Sequence, residues 1–461
     1  MMNSLTKPPA AVLVILFVAL TAPAQTLTTL ASFDGTNGMF PQTLTVGADG
    51  NFYGLTQEGG AYGNGTIFQL ATNNVLTFLM SFDGTNGAWP VSALTLAPDG
   101  SLYGGTANGG MYNVTPTFGP PGDGTIFQIT TNGMFTSLHS FDGTNGAQPR
   151  GGVVFGLDGN LYGTTVSGGV YEFFAVFGEA VPGTVFQITP NGLFTSLVCF
   201  DATNNGEYPR GMVLGDDGAF YGVNNAAYHT GSSGYTGDKG DGRAYRVTTN
   251  GVLTEIAALP YDGSAGADVT GRSVMGPDGN LYGVGLDGGE YNHGTVFRVT
   301  LDGILSLLVS FNGTNGAMPY AGLTLGPDGI IYGATYTGGA YNLGTLFGIT
   351  TNGSFTTLYS FDGTNGAEPF ADLTVGNDGN LYGGTDEGGP YNSGTLFRFT
   401  VPAQLYCQNV GAALVLTWSK PGFALQSAPS ISDTYTNIPN ATSPYTNTVS
   451  GPQQFFRLVG Q

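Results

Sequence analysis

One short phrase recurs along this chain and limits what it can fold into. Phe-Asp-Gly-Thr-Asn-Gly begins at Phe33, Phe82, Phe141 and Phe361, with variants beginning at Phe200, Tyr261 and Phe311. The successive starts lie 49, 59, 59, 61, 50 and 50 residues apart. Self-similarity at such a period marks an array whose units bury their apolar faces only against one another. Each phrase is followed by a Pro (Val269 in the fifth copy), an apolar run, an Asp-Gly, an aromatic-Gly pair, a Gly-Gly and Gly-Thr-apolar-Phe. The fourth copy departs most, lacking the Gly-Gly and carrying Gly242-Arg243 in place of Gly-Thr.

Each unit reads as four short strands. In the sixth, the pattern predicts strands over Gly322 to Leu325, Ile330 to Thr335, Gly344 to Thr350 and Ser354 to Phe361. Pro327-Asp328-Gly329 and Thr351-Asn352-Gly353 turn the chain between them, because Asp-Gly and Asn-Gly tolerate the positive φ of tight hairpins. Composition agrees: 78 glycines without a collagen triplet, 12% aromatic residues and only 9% charged ones suit an all-β chain with many turns. Four antiparallel strands at a period near fifty match a propeller blade. The last unit stops after its third strand (Gly394 to Thr400), whereas Thr26 to Phe33 stands as a spare outer strand before the first. The expected fold is therefore an all-β, seven-bladed β-propeller over residues 25–400, with the N-terminal strand closing the last blade. Closure removes the exposed sheet edge.

SFDGTNGA…DGNLYG…GG.YN.GT.F over about Thr26 to Thr400 resembles the bacterial GloVer tandem-repeat proteins, a "choice-of-anchor" family. The resemblance implies a propeller-like, surface-associated protein and implies no activity. From about Val401 the repeat ends. Ala412 to Trp418, Phe423 to Ser427 and Gln454 to Val459 read as strands of a small C-terminal β-sandwich-like domain over 401–461, with Trp418, Phe455 and Phe456 as core. That domain suits either packing or sorting and attachment.

Residues 1–24 read as a signal peptide: Lys7, the apolar run Ala10 to Leu20, then Ala22-Pro23-Ala24 for cleavage. The apolar run is too short for an ordinary membrane span. The expected location is secreted, periplasmic or cell-surface, with no transmembrane span after cleavage. Cys199 and Cys407 are expected to be free, buried thiols, as two cysteines make no disulfide framework. A formal charge of −20 repels phosphates and argues against nucleic acid.

In a four-stranded blade, the Asp-Gly-Thr-Asn-Gly loops and the Gly-Gly loops share one face of the disc. Three insertions fall there, Met111 to Asp123, Val170 to Pro182 and Asn225 to Asp241. They carry Tyr112, Tyr171, Phe173 and Tyr228, aromatics that suit sugar rings or a partner surface, or that pack the loops onto the disc. The mouth of the central channel is the second candidate. The residue after each loop Pro begins the innermost strand: Gln42, Val91, Arg150, Arg210, Thr270, Tyr320 and Phe370. Arg150 and Arg210 come from neighbouring blades and can fork onto a carboxylate or phosphate, unless acids such as Glu207 occupy them. Asp34 and its repeats read as turn caps, since one Asp per blade does not assemble a calcium site. No metal or cofactor is called for, and there is no GxSxG, HExxH, P-loop or EF-hand spacing. The sequence therefore reads as an exported, non-catalytic binding or structural protein, recognising glycan or a surface protein on the insertion face. The alternative is a carbohydrate-active or lyase-type enzyme at the channel mouth.

Overall fold

A computed structural model describes residues 26–112, 122–169, 183–200, 206, 208–225, 242–260, 267–403, 405–410, 413–418, 420–430, 432–448 and 454–460. The segment read as a signal peptide and most of the three insertions, with Tyr171, Phe173 and Tyr228, lie outside them. Two compact units separate, one built on 27–376 and 381–399, the other on 400–461.

The first unit holds seven antiparallel sheets, one per repeat. In blade 6, strands a to d are Thr324–Leu325, Ile331–Thr335, Thr345–Ile349 and Phe355–Ser360. The innermost strand is thus shorter than expected, and in blades 1 and 5 it is split in two. Crowding at the axis is the reason. A Cβ on Gly271 would lie 2.5 Å from the Gly322 backbone, and one on Gly151 2.6 Å from the Arg210 carbonyl. Blade 7 supplies Thr374–Val375, Leu381–Thr385 and Thr395–Phe399, and takes its outer strand from Leu27–Ser32. Leu27 pairs with Phe399 and Ser32 with Thr395, so the N-terminal strand closes the ring.

Apolar residues alternate along the strands, and both faces of each inner strand are covered by the neighbouring blades. The core consequently lies between blades. Tyr53, Leu55 and Ile67 of blade 1 pack on Leu94, Leu102 and Phe127 of blade 2, while Tyr382 and Leu396 of blade 7 pack on Leu44, Phe52 and Phe68 of blade 1. The glycine of strand b makes the key space. In blades 1, 2, 3, 5, 6 and 7 a Cβ there would lie 2.4–2.6 Å from the Cζ of the strand-c phenylalanine, as Gly333 does with Phe347. Onto that ring leans the phenylalanine ending the previous blade, Phe33 on Phe68 and Phe361 on Phe397, each pair at 5.4 Å between centroids.

Polar side chains fix the turns. Asp49 accepts from the Asn51 amide at 3.1 Å and from the Tyr53 hydroxyl at 2.9 Å, and the same pairing recurs at Asp158/Tyr162, Asp278/Tyr282 and Asp328/Tyr332. Burial and the aspartate together push the Tyr53 and Tyr162 phenols up to about 12. Asp34 accepts from the Thr36 amide and hydroxyl and from the Asn37 amide, which is the capping geometry expected of it. The first glycine of the Gly-Gly pair meets this loop: a Cβ on Gly59 would lie 2.5 Å from the Gly35 carbonyl oxygen.

The second unit has two three-stranded sheets. Three strands beyond those expected appear, Leu405–Val410, Thr436–Asn437 and Tyr445–Thr448. Leu405, Cys407 and Tyr445 of these strands pack against the domain core. Leu414, Leu416, Trp418 and Leu425 form the core with Phe456 and Leu458 beside them; Phe455, one residue out of phase, is absent from it. Cys199 and Cys407 are free but only half-buried, because both lie on outer strands. No helix among the described residues is long and apolar enough to cross a membrane.

Deleting residues 27–32 should leave the Thr395–Phe399 strand as an open edge; thermal unfolding should shift down by about 10 °C or more and size-exclusion chromatography should show self-association. Gly333→Ala should cost roughly 1–3 kcal/mol in denaturant unfolding, since a methyl must displace the Phe347 ring.

Candidate functional site

The seven residues that follow the loop prolines, Gln42, Val91, Arg150, Arg210, Thr270, Tyr320 and Phe370, all line one cavity of about 380 Å³. One offset from a repeated turn thus delivers seven side chains to the axis. Trp89, Asp268, Arg272 and Asp372 join them.

Charge is distributed unevenly around the cavity. Arg272 Nε stands 3.9 Å from Asp372, whose carboxylate also accepts from the Gly322 amide at 2.5 Å. Burial pushes the Asp372 carboxyl up, against the pull of Arg272. Arg210 donates through Nε to the Val269 carbonyl at 3.1 Å and sits in the field of Asp268. Arg150 is exposed to the cavity water. No acidic partner reaches it among the described residues, and Glu207 lies outside them. Desolvation by the surrounding blades, and then the charge of Arg210, lower the Arg150 pKa. Both guanidiniums stay protonated at neutral pH, because arginine starts so far above it.

The opposite arc is aromatic. Tyr320 and Phe370 stack at 5.2 Å with 29° between planes, and Tyr336 stands edge-on to Tyr320 at 5.2 Å. Behind them, Glu368 accepts from the Tyr336 hydroxyl, and burial with that bond raises the phenol pKa. Asp386 lies beside Glu368 and Glu387; burial first, and then these two charges, raise its pKa to about 7. Its Oδ1 is buried without a hydrogen-bond partner. Asp386 is not among the residues lining the cavity.

Of the aromatic insertion residues, only Tyr112 falls within the description, and it is exposed. Tyr62, Tyr291, Tyr341 and Tyr391, from the Gly-Gly loops of blades 1, 5, 6 and 7, are exposed as well. Sequence reasoning passed over them as loop residues, although the repeated Tyr-Asn was visible. His139 is structural: it stacks on Phe194 at 3.9 Å and 4°, and burial lowers its pKa. Among the described residues no group of three or more His, Cys, Asp or Glu is placed to hold a metal ion.

The model of the Gloeobacter/Verrucomicrobia repeat matches residues 16–114, 107–234 and 224–410, so most of the chain is covered. The chain belongs to this family. Each of the three matched stretches spans more than one blade. No curated protein matches the chain. Two solved structures share its fold, both extracellular domains from B. thetaiotaomicron. One, of a protein described as a hybrid two component system, has 11% identity and a TM-score of 0.50, covering 92% of this chain and 53% of that one. The other, of a protein described as a one component system, has 12% identity and a TM-score of 0.50, covering 92% and 54%. The chain spans about half the length of each, and identities this low speak for the β-propeller fold alone.

Asp386→Asn tests the electrostatics. With a folded pKa of about 7, above the ordinary 3.8, the protonated carboxyl contributes stability that is full below about 3.8 and lost as pH rises through 7. The Tm of the variant relative to the parent should therefore climb between pH 5 and pH 8, and a pH-independent difference would rule out the shift.

Proposed function

We propose that this chain is an exported, non-catalytic binding protein that holds an acidic saccharide at its channel mouth. The observation that carries the reading is the pairing of Arg150 with Arg210 on one arc of the cavity and the stacked Tyr320 and Phe370 on the other. Adjacent guanidiniums repel one another until a carboxylate lies across them, and a sugar's C–H face suits an aromatic wall. A cavity of about 380 Å³ falls in the range of small-molecule sites, roughly 300–1,000 Å³. A surface protein would need a far larger contact, on the order of 1,200 Å² or more of buried surface. The saccharide is therefore favoured over the protein partner.

Export rests on the leader pattern of residues 1–24, in keeping with the extracellular origin of the two similar structures. The non-catalytic reading rests on geometry. Asp386, whose pKa suits a general acid, stands outside the cavity lining, and proton transfer requires hydrogen-bond reach.

Calorimetric titration with oligogalacturonate, against neutral oligosaccharides of the same length, tests the reading. Binding of the acidic series alone is expected. Arg150→Gln should weaken it about tenfold or more, as loss of a charge-assisted hydrogen bond does. Equal binding of neutral sugars, an unaffected Arg150→Gln, or release of cleaved product would each overturn it.

A further inference from the structure

Twelve residues other than glycine have positive φ among the described residues, and five of them are asparagine, the residue that best tolerates this region after glycine. The other seven are Phe40, Trp89, Gln148, Tyr208, Asp268, Met318 and Glu368, with φ between 52° and 58°. Each stands two residues before one of the seven side chains that line the channel mouth. Proline does not impose the conformation, since Asp268 precedes Val269 and adopts it too.

Backbone hydrogen bonds hold three of these turns in the same way. The Trp89 amide donates to Asn64 O at 3.0 Å and its carbonyl accepts from Ala107 N at 2.9 Å. Gln148 does the same with Asp123 O and Val166 N, and Met318 with His293 O and Tyr336 N. Glycine would make every one of these bonds with less strain. This chain places glycine or asparagine at every other left-handed position described, yet at these seven it carries seven different, mostly large side chains. Core packing does not account for them: six are half-buried and Asp268 is exposed. Trp89 and Asp268 line the cavity directly.

We infer that these residues, apart from Glu368, whose carboxylate is taken by the Tyr336 hydroxyl, form a specificity collar, an outer tier of saccharide-contacting side chains carried on a strained but rigid backbone above the cavity. This rests on the channel mouth being the binding site, as proposed above. The Trp89 indole is the collar's sugar-stacking member, and Gln148, two residues from Arg150, is a hydrogen-bonding one.

The experiment compares Gln148→Gly and Trp89→Gly with Gln148→Ala, Trp89→Ala, Arg150→Gln and the parent, by thermal unfolding and by titration with oligogalacturonate. Glycine variants should unfold a few degrees above their alanine counterparts, and Gln148→Gly at or above the parent, while their affinity drops about tenfold. A fall in Tm for Gln148→Gly of several degrees would give the side chain a structural role and overturn the collar. So would glycine variants that bind as the parent does. If Arg150→Gln binds normally while the glycine variants do not, the acidic ligand fails and the collar stands. Should the parent not bind oligogalacturonate, the acidic-saccharide reading fails, and the Tm ordering decides the collar: glycine at or below alanine overturns it.

Discussion

Between neighbouring blades, a phenylalanine that ends one outer strand leans on an aromatic ring that the next blade lays over a glycine. Phe82 on Phe127 over Gly104, and Phe311 on Phe347 over Gly333, show the arrangement. The glycine is essential, because any Cβ would occupy the ring's place. Burying such a ring pair removes a few hundred Å² of apolar surface from water, and the pair is repeated around the axis. Blade 4 keeps the wedge with a substitution: Phe200 leans on Tyr245 over Gly222 at 5.2 Å.

Much of this was legible in the sequence because repetition amplifies weak local signals. A single Asp-Gly is a poor predictor of anything, but seven of them at matching offsets locate every a–b hairpin. The spare strand before Phe33 was legible for the same reason: it had the composition of an outer strand and no unit to belong to. The cavity residues followed from one offset after a repeated proline. What stayed hidden depends on three-dimensional neighbours. Arg272 meets Asp372 across a hundred residues, and Asp386 meets Glu368 only because strand b of blade 7 passes the preceding loop. The left-handed residues before the prolines carry no compositional mark, since phenylalanine, tryptophan and glutamate are not expected there.

The geometry separates a repeated frame from a varied centre. Threonine pairs, such as Thr56 with Thr66 at 2.8 Å and Thr335 with Thr345 at 2.8 Å, recur almost unchanged from blade to blade, as do the aspartate caps. Around the axis nothing recurs. One arc is cationic, the other aromatic and acidic, and exposed loop tyrosines stand on blades 1, 5, 6 and 7, with Tyr112 in the blade 2 insertion. A symmetrical frame thus displays an asymmetrical surface, and recognition can vary without touching the contacts that hold the ring together.

The closing strand has a consequence for how the ring assembles. Leu27 is made early in synthesis and its partner Phe399 late, with six other blades between them. Each of those blades is a local meander that packs on its neighbours, but the seventh waits for the two ends of the array to meet. Loop-closure entropy grows only slowly with chain length, so the finished ring is not much weakened by this distance. Its formation is slowed, because long-range pairing must come before its contacts are rewarded. Until then an unpaired strand sits at each end of the array, and the chain must keep both from pairing with its neighbours.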